Sequence, residues 1–205
     1  MEKHHQVPSS ELDAADSRPD ASRNWALPVG LALGAAAAGA LWGAIRKPNI
    51  PAGLEPVADW NPKRYMGHWY ELARVDHRFE RGLIRTQADY TLLPDNTVHV
   101  LNRGFDPETE RWKSSSGKGR FVDDPSVAAL KVSFFGPFYG GYNVIALDPD
   151  YRWSLVIGSS LEYCWILSRS PEISDDLKAR LTRQAALAGV SVDALNWVHQ
   201  DGVSW

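Results

Sequence analysis

Hydrophobic and polar positions alternate in short segments through the middle of the chain. Ala88, Tyr90 and Leu92 alternate with polar side chains, and Val98 and Val100 do so in the next segment. Because successive side chains of a strand point to opposite faces, this pattern predicts half-buried β-strands. Read in this way, the sequence predicts eight strands, at about 68–75, 86–93, 97–104, 111–122, 127–135, 141–148, 152–158 and 161–169.

Short clusters of Pro, Gly, Asp and Asn separate the predicted strands, as at 94–96, 123–125 and 148–150. No helical pattern lies between them, and such short, regular spacing is typical of an antiparallel meander. Eight strands can close into a barrel whose interior holds one small ligand. The sequence therefore predicts a mainly β fold, an eight-stranded antiparallel up-and-down barrel.

One amphipathic helix follows the predicted strands. Ser174 is suited to cap its N-terminus and Gly189 to end it. Between them lies one apolar stripe, formed by Leu177, Leu181, Ala185 and Ala188. This stripe is wide enough only to lie against the outside of a sheet. A final short strand is predicted at about 196–199.

The first part of the chain differs in composition from the rest. Residues 1–24 are polar with mixed charge, which predicts a disordered tail. Residues 25–46 form a hydrophobic segment long enough to span a bilayer as a single helix, so they are either a membrane anchor or the apolar part of a signal peptide. A Pro-rich linker is predicted at 47–58, and the globular domain at 59–201.

Composition limits the classes of function. The net charge of −3 and the pI of about 6.1 exclude a basic surface for nucleic acid. The single cysteine, Cys164, excludes an internal disulfide, and its mid-strand position predicts a buried, inert thiol. The histidines lack the spacing of metal ligands, and no nucleophile motif is present. We therefore expect no metal, no cofactor and no catalytic residues.

A short motif marks one end of the predicted barrel. Gly67 ends a capped turn, and Trp69 occupies the first inward position of the first strand. Arg169 ends the last strand of the barrel on the same face as Trp165 and Leu167, because these positions are two residues apart. From there the guanidinium can reach the face of an indole, a contact that contributes roughly 0.5–2 kcal/mol.

These features resemble the lipocalins, specifically the bacterial lipocalins of the outer membrane lipoprotein type, related to apolipoprotein D. The matching stretches are residues 61–74, 79–82, 130–142 and 163–169, and they span almost all of the predicted domain. The Ser-Phe-Phe-Gly-Pro-Phe-Tyr-Gly-Gly-Tyr block within 130–142 is the most specific of them. The resemblance implies that Gly67, Trp69 and Arg169 form a signature at the closed base of the barrel.

The resemblance further implies a non-catalytic, lipid-binding protein that stores or transports fatty acids, phospholipids or lysophospholipids for membrane maintenance. Strand alternation assigns a set of side chains to the ligand cavity: Ala73, Tyr90, Val98, Val100, Trp112, Phe134, Tyr142, Val144, Trp153, Tyr163 and Trp165. Candidates for contact with a lipid headgroup are Arg74, Arg78, Arg81 and Arg85.

The hairpin at 134–142 is expected at the open mouth of the barrel, where family topology places it. Aromatic side chains there are predicted to form a hydrophobic lip that contacts ligand or membrane: Phe79, Phe135, Phe138 and Tyr139. Alternatively, this loop packs on itself or in the contact of a homodimer.

Three other functions stay open at this point. One is a haem- or pigment-binding lipocalin, to which His77 would contribute, and another is an enzyme on the same scaffold that uses Cys164. The third is a structural interaction module, in which the aromatic lip is a partner surface and side chains fill the cavity. The expected localisation is the cell envelope, with the domain periplasmic or facing the outer membrane, or secretion after signal cleavage. Many bacterial relatives are anchored through a lipidated Cys, but residues 26–60 contain none, so the apolar segment would serve as the tether.

Overall fold

The computed structural model of the protein describes residues 50–77 and 80–201. The predicted tail, the hydrophobic segment at 25–46 and the start of the linker lie outside the described residues, as do Arg78 and Phe79. Within the described part of the chain, none of the helices combines the length and the apolar character that crossing a membrane requires.

The described residues form nine strands that belong to one sheet. The strands are β1 (Gly67–Val75), β2 (Ile84–Leu92), β3 (Thr97–Asp106), β4 (Arg111–Phe121), β5 (Ala129–Phe135), β6 (Phe138–Leu147), β7 (Trp153–Ile157), β8 (Cys164–Ser168) and β9 (Leu195–Trp197). Strands β1 to β8 pair antiparallel in chain order, and β1 also pairs with β8, so the sheet closes. The predicted eight-stranded antiparallel barrel is therefore confirmed, and β9 extends it beside β1.

Two α-helices flank the barrel strands in the described residues. The short α1 (Pro62–Tyr65) begins at Asn61, whose side chain accepts hydrogen bonds from two backbone N–H groups of the first turn. The longer α2 (Asp175–Leu187) begins at Ser174, whose hydroxyl accepts from the N–H of Leu177. Gly189 follows with φ of +89°, the left-handed conformation that ends a helix without strain at glycine. The predicted helix is therefore confirmed.

The hydrophobic side chains pack into two clusters, one on each face of the barrel wall. The buried members of the inner cluster are Trp60, Tyr65, Trp69, Ala88, Tyr90, Val98, Val100, Ala128, Leu130, Val144, Tyr151, Val156 and Leu167. The buried members of the outer cluster are Leu72, Ala73, Trp153, Leu155, Ile157, Cys164, Ile166, Leu181, Ala185, Val190 and Leu195. Because Leu181 and Ala185 belong to α2, the helix packs on the outside of the barrel, as its narrow stripe predicts.

The direction of the strands defines the two ends of the barrel. Trp69 lies near the start of β1 and Arg169 directly follows β8, so both mark the end that we call the base. Since consecutive strands are antiparallel, the connections at 76–83, 107–110, 136–137 and 158–163 lie together at the opposite end, the mouth.

Candidate ligand-binding site

Arg169 closes the base of the barrel. Its guanidinium carbon lies 3.8 Å from the centroid of the Trp69 ring, which is the contact that strand alternation predicts. Its Nη atoms donate hydrogen bonds of 2.6–3.1 Å to the backbone carbonyl oxygens of Arg64, Tyr65, Met66 and His68. Gly67 has φ of +94°, which favours glycine. One side chain thus ties the end of β8 to α1 and to the start of β1.

Most residues that the sequence assigns to the cavity lie in or against the inner cluster. They are Tyr90, Val98, Val100, Phe134, Tyr142, Val144 and Trp165. Phe134 and Trp165 lie towards the mouth end of their strands, and Tyr90 lies towards the base. The interior is therefore lined by aromatic and aliphatic side chains along its length.

The assignment of Ala73 to the cavity is wrong. The register of β1 against β8 shifts between Glu71 and Ala73, which is the mark of a β-bulge. A bulge adds one residue and so exchanges the faces of the positions that follow it. Ala73 consequently packs in the outer cluster. Arg74 lies on the opposite face of β1, where it contacts Glu71 and Thr86.

The assignment of Trp112 is wrong for a different reason. In β4, Gly117 lies against Phe134 and Gly119 against Val98, so the odd-numbered positions face the interior. Trp112 faces outward by the same alternation. Its ring packs edge to face on Phe105, with centroids 5.6 Å apart.

Trp153 and Tyr163 also lie outside the inner cluster. Trp153 packs in the outer cluster, with the guanidinium of Arg180 5.1 Å from its ring centroid. The outer face of β7 is apolar because α2 covers it, whereas the inner face carries the polar Ser154 beside Val156. Alternation in this strand therefore assigns the wrong face to the interior. Tyr163 precedes β8 at the mouth, is 43% exposed, and stacks on His77 with ring centroids 4.1 Å apart.

A small pocket in the inner cluster lies above the base. Its lining residues are Trp60, Tyr65, Met66, Tyr90, Val98, Val100, Leu130, Val132 and Tyr142, and its free volume is about 10 Å³. A second groove, of about 870 Å³, lies outside the barrel wall beside α2, where Trp153, Arg180 and Arg183 contribute to its surface. Because that groove is on the outer face, it is not the cavity that the sequence predicts.

Three tyrosines in this pocket share a hydrogen-bond network, which we call the tyrosine cluster: Tyr65, Tyr90 and Tyr142, together with Ser154. The Tyr65 hydroxyl lies 2.7 Å from that of Tyr142 and 3.0 Å from Ser154 Oγ, and Tyr142 donates to Tyr90 at 3.0 Å. Burial raises the pKa of Tyr65 to about 12 and raises the pKa values of Tyr90 and Tyr142 well above their ordinary range. The phenols are therefore neutral.

A second polar group, the Arg74 cluster, joins β1 and β2 to the mouth loop. It comprises Arg74, Glu71, Thr86 and Asp76. Arg74 is fully buried, and all its N–H directions are used: it donates to Glu71, Thr86 and Asp76 and to the carbonyl oxygens of Glu80 and Leu83. The headgroup role suggested for Arg74 is therefore wrong, because this side chain holds the loop at 76–83.

Other candidates for headgroup contact are placed differently. Arg85 donates from Nε to the carbonyl oxygen of Asp201 and lies over the ring of Phe105 at 5.3 Å, so it holds the C-terminal residues. Arg81 is exposed in the mouth loop, and its contact with a lipid headgroup stays a prediction. Gln200 bridges β1 and β2 by donating to the carbonyl oxygens of Glu71 and Thr86.

Glu71 makes the stability of this cluster depend on pH. Burial, and after it the charge of Glu80, raise the pKa of Glu71 from 4.5 to about 7. As the pH rises from about 4.5 to 7, the unfolded chain loses this proton before the folded chain does. The contribution of Glu71 to folding stability is therefore complete below about pH 4.5 and is lost as the pH passes 7.

We expect Glu71→Gln to remove this pH dependence. Between pH 4.5 and 7 the free energy of unfolding of the wild type should fall relative to that of the variant, by at most about 3 kcal/mol. Urea denaturation of both proteins at several pH values measures the difference, in which the other titrating groups cancel. Parallel curves across this range would contradict the prediction.

Two residues of the predicted lip are exposed at the mouth. Phe135 is 71% and Phe138 60% exposed at the β5–β6 hairpin, and Tyr139 lies with its ring 5.7 Å from Lys131 Nζ. Phe134 alternates with Phe135 and packs inward, so the hairpin places one aromatic ring in the barrel and its neighbour in solvent. Phe79 lies outside the described residues.

Comparisons with known proteins agree with this architecture. The model of the lipocalin-like domain family matches residues 61–200. The chain belongs to the lipocalin family. The outer membrane lipoprotein Blc of Citrobacter freundii is 52% identical over 159 residues, which cover 78% of this chain and 90% of the relative. The Blc of Escherichia coli strain K12 is 49% identical over 170 residues, covering 83% and 96%. The predicted resemblance to bacterial lipocalins is thus confirmed.

Solved structures share the fold at low sequence identity. Insecticyanin from the tobacco hornworm Manduca sexta has a TM-score of 0.58 and 16% identity, covering 77% of this lipocalin and 89% of that chain. Lobster apocrustacyanin A1 has a TM-score of 0.56 and 14% identity, covering 75% and 94%. These likenesses support the lipocalin barrel alone.

The Cys164 thiol is poorly placed to act as a nucleophile in this lipocalin. Cys164 is fully buried in the outer cluster, and burial raises the pKa of its thiol to about 12, so the nucleophilic thiolate is disfavoured. Among the described residues, His, Cys, Asp and Glu side chains form no group that could hold a metal ion. A haem or pigment role for His77 stays a prediction, which the visible absorbance spectrum of the purified protein tests.

Proposed function

We propose that this lipocalin binds lipids in its barrel and stores or transports them for membrane maintenance, without catalysing a reaction. The ligands would be fatty acids, phospholipids or lysophospholipids. The observation that carries the proposal is the inner cluster, which lines a closed barrel from the Trp69–Arg169 base to the exposed aromatic lip. Bacterial relatives at 41–52% identity are named outer membrane lipoproteins, which supports a role at a membrane.

The energetics of burial support the ligand class. Each buried methylene contributes about 0.8 kcal/mol, so a chain of about 16 carbons gains roughly 12 kcal/mol before the cost of ordering it. Most of this gain has no direction, so selectivity among acyl chains should be broad. Ligand pockets measure roughly 300–1,000 Å³, far more than the pocket above the base. Entry therefore requires side chains near the mouth to move.

Two aromatic residues are placed to make this room. Phe134 is only partly buried where β5 approaches the mouth, and Trp165 lies at the corresponding end of β8. The indole N–H of Trp165 donates to Glu80 in the mouth loop at 3.4 Å, which is a long and therefore weak hydrogen bond. Rotation of these rings would open the interior from the mouth while the base stays closed.

A cell-envelope location follows from the relatives' names and from the lip. Insertion of Phe135 and Phe138 into a membrane surface would bring the mouth to the lipid from which a ligand is taken. Tethering by the hydrophobic segment at 25–46, the alternative of secretion after cleavage, and a homodimer stay predictions. N-terminal sequencing of protein from membranes distinguishes a retained segment from a cleaved one.

The proposal is tested by blocking the interior. We expect the purified full chain to carry extractable lipid and to release a fluorescent fatty acid probe when a lipid competes. Val100→Phe adds a ring on the inner face of β3 and should weaken probe binding about tenfold or more, at a stability cost of about 1–3 kcal/mol. The matched control is His99→Phe, which places the same phenyl ring at the neighbouring, outward position in place of an imidazole and should leave binding unchanged.

Two results would contradict the proposal. One is protein that carries no lipid and binds no probe, and the other is equal binding by the Val100 and His99 variants. Thermal denaturation of both variants shows that each is folded at the temperature of the binding assay.

A further inference from the structure

We propose that the pocket above the base, which forms the floor of the barrel interior, selects ligands whose buried end carries a neutral oxygen. An example is the hydroxyl of an oxygenated acyl chain. This inference rests on the proposed lipid-binding function and specifies which lipids that site prefers. It is carried by the hydrogen-bond directions of the tyrosine cluster and by a second donor that lines the same pocket.

The tyrosine cluster ends in a donor without an acceptor. Tyr142 donates its only hydroxyl proton to Tyr90. Tyr65 must therefore donate to Tyr142, and Ser154 must donate to Tyr65, because each hydroxyl has a single proton. Because donation runs from Ser154 towards Tyr90, the Tyr90 O–H has no acceptor within the cluster. No other hydrogen bond among the described residues uses this O–H as a donor. Tyr90 is only 7% exposed, so bulk water does not take this place.

Trp60 supplies a second donor at the same pocket. Its side chain is 3% exposed and lines the pocket beside Tyr65 and Tyr90. The indole Nε1 is buried and has no hydrogen-bond partner among the residues that the structure describes. Buried donors without acceptors are costly, so an oxygen that enters here gains hydrogen bonds that the empty pocket leaves unmade.

The chemistry of the pocket favours a neutral oxygen over a carboxylate. None of its nine lining residues carries a charged side chain. Arg169 lies against Trp69 and is engaged with five carbonyl oxygens, so it is not available to a ligand. A buried anion would thus lack a partner, and its desolvation would not be compensated. The anionic headgroup of a ligand is expected to stay at the mouth, with the neutral oxygen at the opposite end of its acyl chain.

The size of the pocket sets a further condition. A free volume of about 10 Å³ is close to what one water molecule needs, so the pocket has room for a group of the size of a hydroxyl. The surface of this space is apolar, so a ligand that reaches the floor has to part the side chains that cover the hydroxyls. The ligand oxygen then accepts hydrogen bonds that the side chains of Tyr90 and Trp60 do not donate within the described part of the chain.

The test compares hexadecanoic acid with 16-hydroxyhexadecanoic acid, each competing with a fluorescent fatty acid probe on the full chain. We expect the hydroxy acid to bind about 3- to 10-fold more tightly, since a site with free donors rewards the added oxygen. In a purely apolar pocket the added hydroxyl would instead weaken binding. In Tyr90→Phe the ratio of the two affinities should fall to one or below, and this ratio is the readout whatever the variant does to the affinity for hexadecanoic acid itself.

The matched control is Tyr70→Phe, which removes a hydroxyl from a residue packed against the outer cluster and should keep the preference. Trp60→Phe removes the second donor and tests the floor again if Tyr90→Phe fails to fold. Weaker binding of the hydroxy acid by the wild type, or an unchanged preference in both floor variants, overturns the inference and leaves the lipid-binding function standing. Binding of neither acid overturns both.

Discussion

Replacing Arg169 by Ala is expected to lower the free energy of unfolding by about 2–4 kcal/mol. The change removes the donors for five backbone carbonyl oxygens, that of Tyr151 included, and the cation–π contact with Trp69. Because four of these carbonyls lie in the stretch from α1 to the start of β1, the contacts that close the base should be lost together. Urea denaturation followed by tryptophan fluorescence measures the effect, since Trp69 lies directly under the guanidinium.

The control for this prediction is Arg152→Ala. Arg152 also lies at the base and pairs with Asp148 at 2.8 Å, but its side chain is 69% exposed. Solvent screens this exposed guanidinium, and the buried Asp148 carboxylate keeps two backbone N–H donors when the guanidinium is removed, so the loss should be smaller, about 1 kcal/mol. Arg169→Lys keeps the charge but loses the planar fork that reaches several carbonyls at once, so it should recover only part of the loss. Equal losses in the Arg169→Ala and Arg152→Ala variants would show that Arg169 merely ends a strand in water.

The sequence assigns side chains to the barrel interior correctly in strands of which only one face is apolar. In β2, β3 and β6 the residues assigned to the interior, including Tyr90, Val98 and Val144, lie in the inner cluster. In β7 the prediction is inverted, because α2 covers the outer face and makes Trp153 as suitable for burial as Val156. Alternation identifies the inner face only when solvent touches the other one.

The β-bulge in β1 is a second reason why the face assignments fail. The register shift in β1 moves Ala73 outward, and no residue type in this segment signals it. Glu71, however, carries a usable signal, because it lies two residues after Trp69 and so shares its inward face. An inward carboxylate requires a buried partner. The sequence thus predicts that a partner exists, but only the bulge shows that Arg74 supplies it.

The tyrosine cluster was missed because its members are distant in sequence. Tyr65 comes from α1, which precedes the barrel. Ser154 is, like Val156, an inward residue of β7, the strand whose faces the sequence assigns wrongly. Tyr90 and Tyr142 were assigned to the cavity as hydrophobic surface. Their hydroxyls are 3.0 Å apart only because β2 and β6 face each other across the closed barrel. A network of this kind depends on closure and cannot be read from local pattern.

Replacing Arg74 by Met should lower the free energy of unfolding by about 3–5 kcal/mol. Met fills similar volume, so the loss reflects the unpaired Glu71 and the carbonyl oxygens of Glu80 and Leu83, which then have no donor. The loss should be larger at pH 8 than at pH 5. At pH 5, below the wild-type pKa of about 7, Glu71 is protonated with or without Arg74, whose charge lowers that pKa, so the carboxyl needs no cationic partner. Urea denaturation at both pH values measures this difference.

The double variant Glu71→Gln/Arg74→Met identifies the cause of that loss. If the unpaired carboxylate dominates, removing its charge should restore at least about 1 kcal/mol at pH 8 and almost nothing at pH 5. Arg120→Met, at an exposed position of β4, controls for the general effect of losing a cation and should stay within about 0.5 kcal/mol. A double variant that is no more stable than Arg74→Met at pH 8 would mean that Arg74 acts only by holding the mouth loop. In that case the loss would be the same at both pH values, since backbone carbonyls do not titrate.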